Sequence, residues 1–249
     1  MKPAAIFRTA ALLIPALTAS LASAAPAIPA YVTAAVADSA RPAEDKQRDA
    51  DRKPAETLAF AGVKPGDTVI ELAPGKGYYT RLLSAVVGPK GKVYAVGGQP
   101  KPDAPPPPVQ AIAADPHYGN VTVSLQKIAD LKLPQGVDLV WTTQNYHDLH
   151  NIHDVDVAKV NSAFFAALKS GGTYFVLDHA AEAGSGPRDT GTLHRIDEET
   201  VKQEVTAAGF KLVGESDILR NKNDPHTAKV FDPEIRGHTD QFALKFTKP

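Results

Sequence analysis

The sequence predicts an α/β fold, a doubly wound and mostly parallel sheet with an antiparallel pair at its C-terminal edge. Three observations carry that expectation. Short apolar runs alternate with stretches of helical length and pattern, and such alternation packs as a parallel sheet with right-handed crossovers. "GVDLVWTTQ" (136–144) has a continuous apolar run at Leu139, Val140 and Trp141, as a strand buried on both faces should have. The last two runs, "FKLVGESDIL" and "DQFALKFTK", have no helical stretch between them. An antiparallel pair is the simplest closure there. The plan is Rossmann-like, but its ending departs from a dinucleotide-binding domain.

Taken in order, "EDKQRDADRKPAETLAFAGV" reads as helix in its middle, and "KPGD" as a turn set by Pro65 and Gly66. Val69–Leu72 is the first strand and Tyr78–Val87 a helix stopped by "GPKG"; Val93–Val96 is the second strand. "GGQPKPDAPPPP" is a surface loop, because each proline removes a backbone donor and fixes φ. "VQAIAA" is a short helix, "VTVSLQ" the third strand and "GVDLVWTTQ" the fourth. Val157–Leu168 is a helix ended by Gly171 and Gly172, "TYFVLDH" the fifth strand, and Glu198–Ala208 a helix closed by Gly209.

The first residues answer to transport. Lys2 and Arg8 precede the apolar "AALLIPALTASL", and "ASA" at 22–24 is a small-residue cleavage site. The apolar stretch holds Pro15 and falls short of the roughly 20 residues a spanning helix needs. Residues 1–24 are therefore expected to be a signal peptide, with the mature protein periplasmic or secreted and without a stable membrane anchor. Residues 25–45, rich in alanine and proline, read as a linker or loosely packed arm, and 46–249 as one domain. The chain has no cysteine, hence no disulfide and no thioether-linked lipid. Its formal charge of −1 becomes more negative once Lys2 and Arg8 are removed. That balance gives no general attraction to nucleic acid.

"VIELAPGKGYYTRLL" (69–83) passes from a buried strand ending in an acid through a glycine loop into a helix. Gly75 and Gly77 let backbone approach a ligand where a Cβ would collide, at the strand end where open α/β sheets bind ligands. No "GxxxxGK[ST]" phosphate loop is present, and a dinucleotide fingerprint would place its third glycine at Thr80.

This stretch resembles the first motif of class I S-adenosylmethionine-dependent methyltransferases. "ADLKLP", "VDLVWTTQNYHDL", "LKSGGTYFVLDH" and "AAGFKLV" agree with that family along almost everything after residue 50. "GYYTRLLS", "NYHDLH" and "RGHTDQF" are similar to a group of exported bacterial predicted methyltransferases. The resemblance implies a class I methyltransferase-like fold with S-adenosyl-L-methionine as cofactor. Glu71 would orient its methionine end, with Ala73, Gly75, Gly77 and Tyr78 in the loop around it and Gln144 and Asn145 at the fourth strand. Asp130 would reach the adenine amino group. The acid that ends the family's second strand is replaced by Gly97 here, leaving Gln99 to contact the ribose.

"QNYHDLHNIHD" (144–154) is the densest chemistry in the chain, with Asp178 and His179 closing the next strand and "LHRID" (193–197) following. A histidine beside a carboxylate is suited to general-base work, since its ordinary pKa lies near ~6.5. His147 is the expected base, with Asp148 or Asp178 orienting it, Tyr146 positioning a small-molecule substrate and His179 as a further catalytic candidate. His150 and His153 read as solvated turn residues. The "HxxHxxH" spacing matches no zinc motif and no metal is expected, although imidazole and carboxylate together form a plausible ligand set. In "IRGHTDQF", Arg236 either pairs with Asp240 or, like Arg220, meets an anionic substrate group. Two activities follow: methyl transfer to a small molecule, or a methyltransferase-fold protein that binds a ligand or runs His- or metal-dependent chemistry without methyl transfer.

Overall fold

The computed structural model describes residues 27–249, so the expected signal peptide (1–24) lies outside the described residues. Seven strands form one sheet: β1 (Thr68–Leu72), β2 (Lys92–Gly98), β3 (Val121–Gln126), β4 (Val137–Thr143), β5 (Leu168–His179), β6 (Lys211–Ser216) and β7 (Gln241–Thr247). Their order is β3-β2-β1-β4-β5-β7-β6. The pairs from β3 to β5 are parallel, and β7 runs antiparallel to both β5 and β6. The terminal pair is therefore antiparallel as expected, with the last strand inserted inside the edge strand.

Burial explains the order. β1 and β4 are covered on both faces and bury almost every residue, whereas the edge strand β6 alternates between exposed and half-buried residues. Successive side chains of a strand point to opposite faces, so Tyr174 and Phe175 on β5 feed different cores. Phe175 packs on Trp141 at 4.4 Å between ring centroids, in the core under α5 (Tyr78–Val87). Tyr174 packs on Phe164 of α7 (Val157–Ala167) at 5.3 Å, in the core shared with α8 (Glu198–Ala207). Large apolar side chains buried this completely contribute about 1.5–3 kcal/mol each, so the central strands are fixed firmly beneath their polar C-terminal ends.

The segment expected as a linker or arm is structured from Ala30. Helix α1 (Ala30–Val36) buries Val32 and Ala35 in the first core, and the Tyr31 hydroxyl donates to the Val63 carbonyl at 3.3 Å. Alanine is the best helix former, and one apolar stripe is enough to dock seven residues. The expected single helix before β1 is three: α2 (Ala43–Gln47), α3 (Asp49–Arg52) and α4 (Pro54–Ala61), bent at Lys53, whose φ is 41°. The residue before a proline is steered away from helical angles. Arg41 holds Asp49 through both guanidinium nitrogens, and Arg81 of α5 holds Asp45 at 2.9 Å. These ties lay the N-terminal helices across the C-terminal ends of β1 and β4. A short α6 (Val109–Ala114) follows the proline loop. Among the described residues no helix is long and apolar enough to cross a membrane.

Candidate active site

The crevice lies where the strand order reverses, at the C-terminal ends of β1 and β4, the usual ligand position in an open parallel sheet. Beyond β1 the chain turns sharply: Ala73 has φ 49° and Gly75 φ 56°. A Cβ on Gly75 would meet nothing within 4 Å, because that position looks into open space. Gly77, at φ 80°, caps α5, and there a Cβ would come within 1.9 Å of the Ile112 side chain. The two glycines differ in purpose: one clears the cavity and the other lets α6 pack.

A cavity of ≈ 320 Å³ opens above this loop, and Glu71, Ala73, Gly75, Tyr78, Gln144 and Asn145 line it. Glu71 is buried and accepts a hydrogen bond from the Thr80 hydroxyl at 2.6 Å. Burial pushes its carboxyl up to about 7 despite that bond. Asn145 donates to the carbonyls of Leu72 at 2.9 Å and Thr143 at 3.0 Å, and its buried Oδ1 has no protein partner. A buried carbonyl oxygen aimed beside a cavity calls for a donor.

After β4, Gln144 adopts φ 57° and its N–H donates to the Leu177 carbonyl at 2.7 Å. A single 3-10 turn, His147–His150, then sends neighbouring side chains in opposite directions. Tyr146 turns inward: it is fully buried, donates to Glu204 at 2.8 Å and accepts from Asn161 at 2.8 Å. It does not line either cavity, which corrects the expectation that it positions substrate; it ties the turn to α7 and α8 instead.

His147 turns to the crevice and meets the end of β5. Its backbone N–H and its Nδ1–H both donate to the fully buried Asp178 carboxylate at 2.8 Å, and the His179 N–H adds a third bond at 2.8 Å. Asp148 stands 3.3 Å from Nε2. Burial opposes charge on the ring, yet Asp178 beside it and the bond to Asp148 carry its pKa up to about 10. Burial likewise opposes charge on Asp178, but the imidazolium and its hydrogen bonds hold that carboxyl below the usual range. The two carboxylates thus favour the imidazolium form of His147 at neutral pH. His179 is its opposite: burial outweighs Asp178 and pushes it down to about 4, while the Thr239 hydroxyl lies 2.7 Å from Nδ1.

A second cavity of ≈ 290 Å³ sits over His147, Asp148, His179 and His194. Gln144, Asp148, Arg48 and Arg52 line both cavities, so the two adjoin along that seam. Arg52 donates to the Gln144 Oε1 at 2.6 Å and lies over the Tyr78 ring at 4.6 Å. Arg48 and Arg52 were not singled out from the sequence. Their signal was there: they stand four apart, with the Arg52 N–H on the Arg48 carbonyl at 3.0 Å, which puts them on one helical face. His147, Asp148 and His194 offer ligand atoms within 4.8 Å of one another and are a possible metal set. A metal there would first have to displace the proton on His147.

The remaining expected residues fall elsewhere. Asp130 is exposed and pairs with Lys132 at 2.6 Å, and Gln99 is exposed just beyond β2; neither lines the glycine-loop cavity. β2 runs through Gly98, which carries Gln99 past the crevice. His150 faces Glu204 at 3.3 Å and His153 is solvent-exposed beside Asp154. Arg195 is a buried strut, bonded through both terminal nitrogens to Asp224. Arg220, held by Glu198 and Asp240, is not available to a ligand, whereas Arg236 lines the second cavity and leaves Asp240 to Arg220.

No family model matches the chain. A methyltransferase from Aquifex aeolicus that depends on S-adenosylmethionine superposes with a TM-score of 0.59 at 19% identity, covering 84% of this chain and 99% of that one. The chain has the class I methyltransferase fold. Aeropyrum pernix fibrillarin, solved with natively bound S-adenosyl-L-methionine, shares that fold with a TM-score of 0.52 at 16% identity, over 80% of this chain and 76% of that one. Among curated proteins, the demethylmenaquinone methyltransferase of Symbiobacterium thermophilum is 28% identical over 130 residues, 49% of this chain and 47% of the relative. The match therefore spans about half the length of that curated relative.

Proposed function

We propose that this chain transfers a methyl group from S-adenosyl-L-methionine to a small molecule held over His147. The observation that carries the proposal is the pairing of two adjoining cavities, one at the glycine loop and one over the His147–Asp178 pair. The residues fit the methionine end of the cofactor. Asn145 Oδ1, buried without a protein partner, is placed to accept from its ammonium, and the space beside Gly75 admits its chain. Arg52, on the seam, is a cation for its carboxylate. When bound, the cofactor supplies an electrophilic sulfonium methyl.

The chain's own residues then align and charge the acceptor. His147, held as an imidazolium by Asp178, stabilises an ionised acceptor atom. His179, neutral in the same cavity, is the ring able to take a proton from an acceptor that arrives protonated. Alignment supplies the rest, since holding two reactants in reacting geometry is worth several kcal/mol, about 7–11 at its best. Purified protein incubated with methyl-labelled cofactor and a pool of phenols, thiols and carboxylates should pass label to a small molecule, and His147→Ala should slow that transfer by about 10²-fold or more. Absence of transfer at saturating cofactor would count against the reaction.

One observation favours a second reading. Asp130 and Gln99 both stand away from the glycine-loop cavity, so the adenosine half lacks the polar grip the family resemblance implies. A ligand-binding protein on the same fold, or a His- or metal-dependent enzyme using His147, Asp148 and His194, would bind no S-adenosylmethionine. The pattern of residues 1–24 further supports action after export. Mass spectrometry of the native protein should then find a terminus near Ala25, and an intact Met1 in a cytoplasmic fraction would rule export out.

A further inference from the structure

Arginines divide into two groups in this structure. Arg41, Arg81, Arg188, Arg195 and Arg220 each pair with a carboxylate. Arg48, Arg52 and Arg236 pair with none among the described residues, and all three line the ≈ 290 Å³ cavity over His147. Unpaired surface arginines are ordinary one at a time. Three on one cavity, where every other arginine of the described residues is neutralised, are not.

The charge around the cavity is net positive. Asp51 and Asp148 also line it, but Asp148 is drawn to His147 Nε2 at 3.3 Å and His194 Nδ1 at 3.7 Å. With the buried Asp178 behind His147, three carboxylates stand against three guanidinium groups and the His147 ring. Arg52 is partly buried with only a neutral amide oxygen and two aromatic faces for company, and burial lowers its pKa, as expected for a cation short of a counter-ion. One wall is apolar. Phe231, 58% exposed, leans edge-on against His194 at 4.9 Å and lines the cavity beside Val230. A large aromatic left open beside a polar pocket suits a ligand with an apolar face.

We propose that this cavity binds an organic anion, a carboxylate or phosphate on an apolar body of about ring size, with the anionic group on Arg48 and Arg236 and the apolar part on Phe231. As the methyl acceptor this ligand rests on the methyl-transfer reading; as an anion site it stands without it. Arg236 touches only this cavity, whereas Arg48 and Arg52 border both. A guanidinium fork matches either anion through paired N–H bonds.

The test is calorimetric titration of the purified protein with benzoate, phenyl phosphate, inorganic phosphate and the neutral benzyl alcohol, without cofactor and then with its demethylated product present. At least one ring anion should bind about tenfold or more tightly than benzyl alcohol, and the better of the two identifies the anionic group. Arg236→Gln should weaken that binding by about tenfold, the usual scale of a charge-assisted hydrogen bond, and so should Arg48→Gln. Phe231→Ala should weaken the ring anions while leaving inorganic phosphate unchanged. Arg48 and Arg236 are exposed, so their loss does not threaten folding. Equal binding of benzyl alcohol and both ring anions, or wild-type affinity in both arginine variants, would overturn the proposal. Anion binding without any S-adenosylmethionine binding would uphold this site and reject methyl transfer; cofactor binding without anion binding would do the reverse.

Discussion

Replacing Asp178 by asparagine keeps the shape of the site and removes one charge. In the wild type, the His147 ring is buried and its pKa is carried from 6.5 to about 10. At about 1.4 kcal/mol per pKa unit, the folded state gains about 5 kcal/mol from holding that proton. Because the folded pKa is raised, the contribution is complete below pH 6.5 and is lost as pH rises through about 10. Glu71, raised from 4.5 to about 7, gives up its contribution below that window, and His179, lowered to about 4, acts only on the acid side. Between about pH 7 and 9 the stability should therefore fall by about 1.4 kcal/mol per pH unit, from His147 alone. Asp178→Asn leaves the imidazolium with Asp148 as its only carboxylate, so the slope should flatten. Stability at neutral pH should drop by about 3–5 kcal/mol, as when one partner of a buried pair is removed. Urea denaturation across that pH range measures both quantities, and the ring C–H resonance of His147 measures its pKa directly. A wild-type stability flat between about pH 7 and 9, or a His147 resonance titrating near 6.5, would refute the charge assignment.

Further outcomes follow from the same contacts. His147→Ala should cut methyl transfer by about 10²-fold or more, the scale of losing one group that stabilises charge at the reacting atom, with the cofactor Kd unchanged; chelator should leave wild-type turnover intact, and its abolition would move the site to the His147, Asp148 and His194 metal set. Tyr146→Phe should lower stability by about 1–2 kcal/mol, because it strands Glu204 and Asn161, while KM stays as it was. Arg195→Met should cost about 3–5 kcal/mol by leaving Asp224 buried and unpaired, measurable as a fall in the urea midpoint.

The sheet was legible because its signals are local. Apolar runs, glycine breaks and the missing helix before the last strand are all periodic features of short windows, and β1 to β5 lie where those windows put them. The glycine loop and the His147 cluster could be read for the same reason, as each occupies one contiguous stretch. Two kinds of feature could not. Side-chain direction inside the 3-10 turn decides that His147 meets Asp178 while Tyr146 meets Glu204, and residue spacing in a turn does not fix direction. Charge state depends on which groups close around a ring, and the Asp178 and Asp148 carboxylates that favour an imidazolium at His147 against its burial are brought there by the fold. The N-terminal segment misled by composition: alanine and proline suggested a loose arm, but Val32 and Ala35 dock it and bring Arg48 and Arg52 over the crevice. Asp130 and Gln99 were placed by resemblance alone, and neither reaches the cavity.

Titration of the purified protein with S-adenosyl-L-methionine and with its demethylated product, beside a Gly75→Val variant, addresses methyl transfer most directly. A valine at Gly75 would project into the open space beside the loop and oppose φ 56°, while touching no protein atom within 4 Å at its Cβ. Saturable binding of both compounds by the wild type, lost in a Gly75→Val protein that still unfolds cooperatively, is the expected result. No binding by the wild type, or unchanged affinity in the folded variant, would contradict a cofactor seated on the glycine loop.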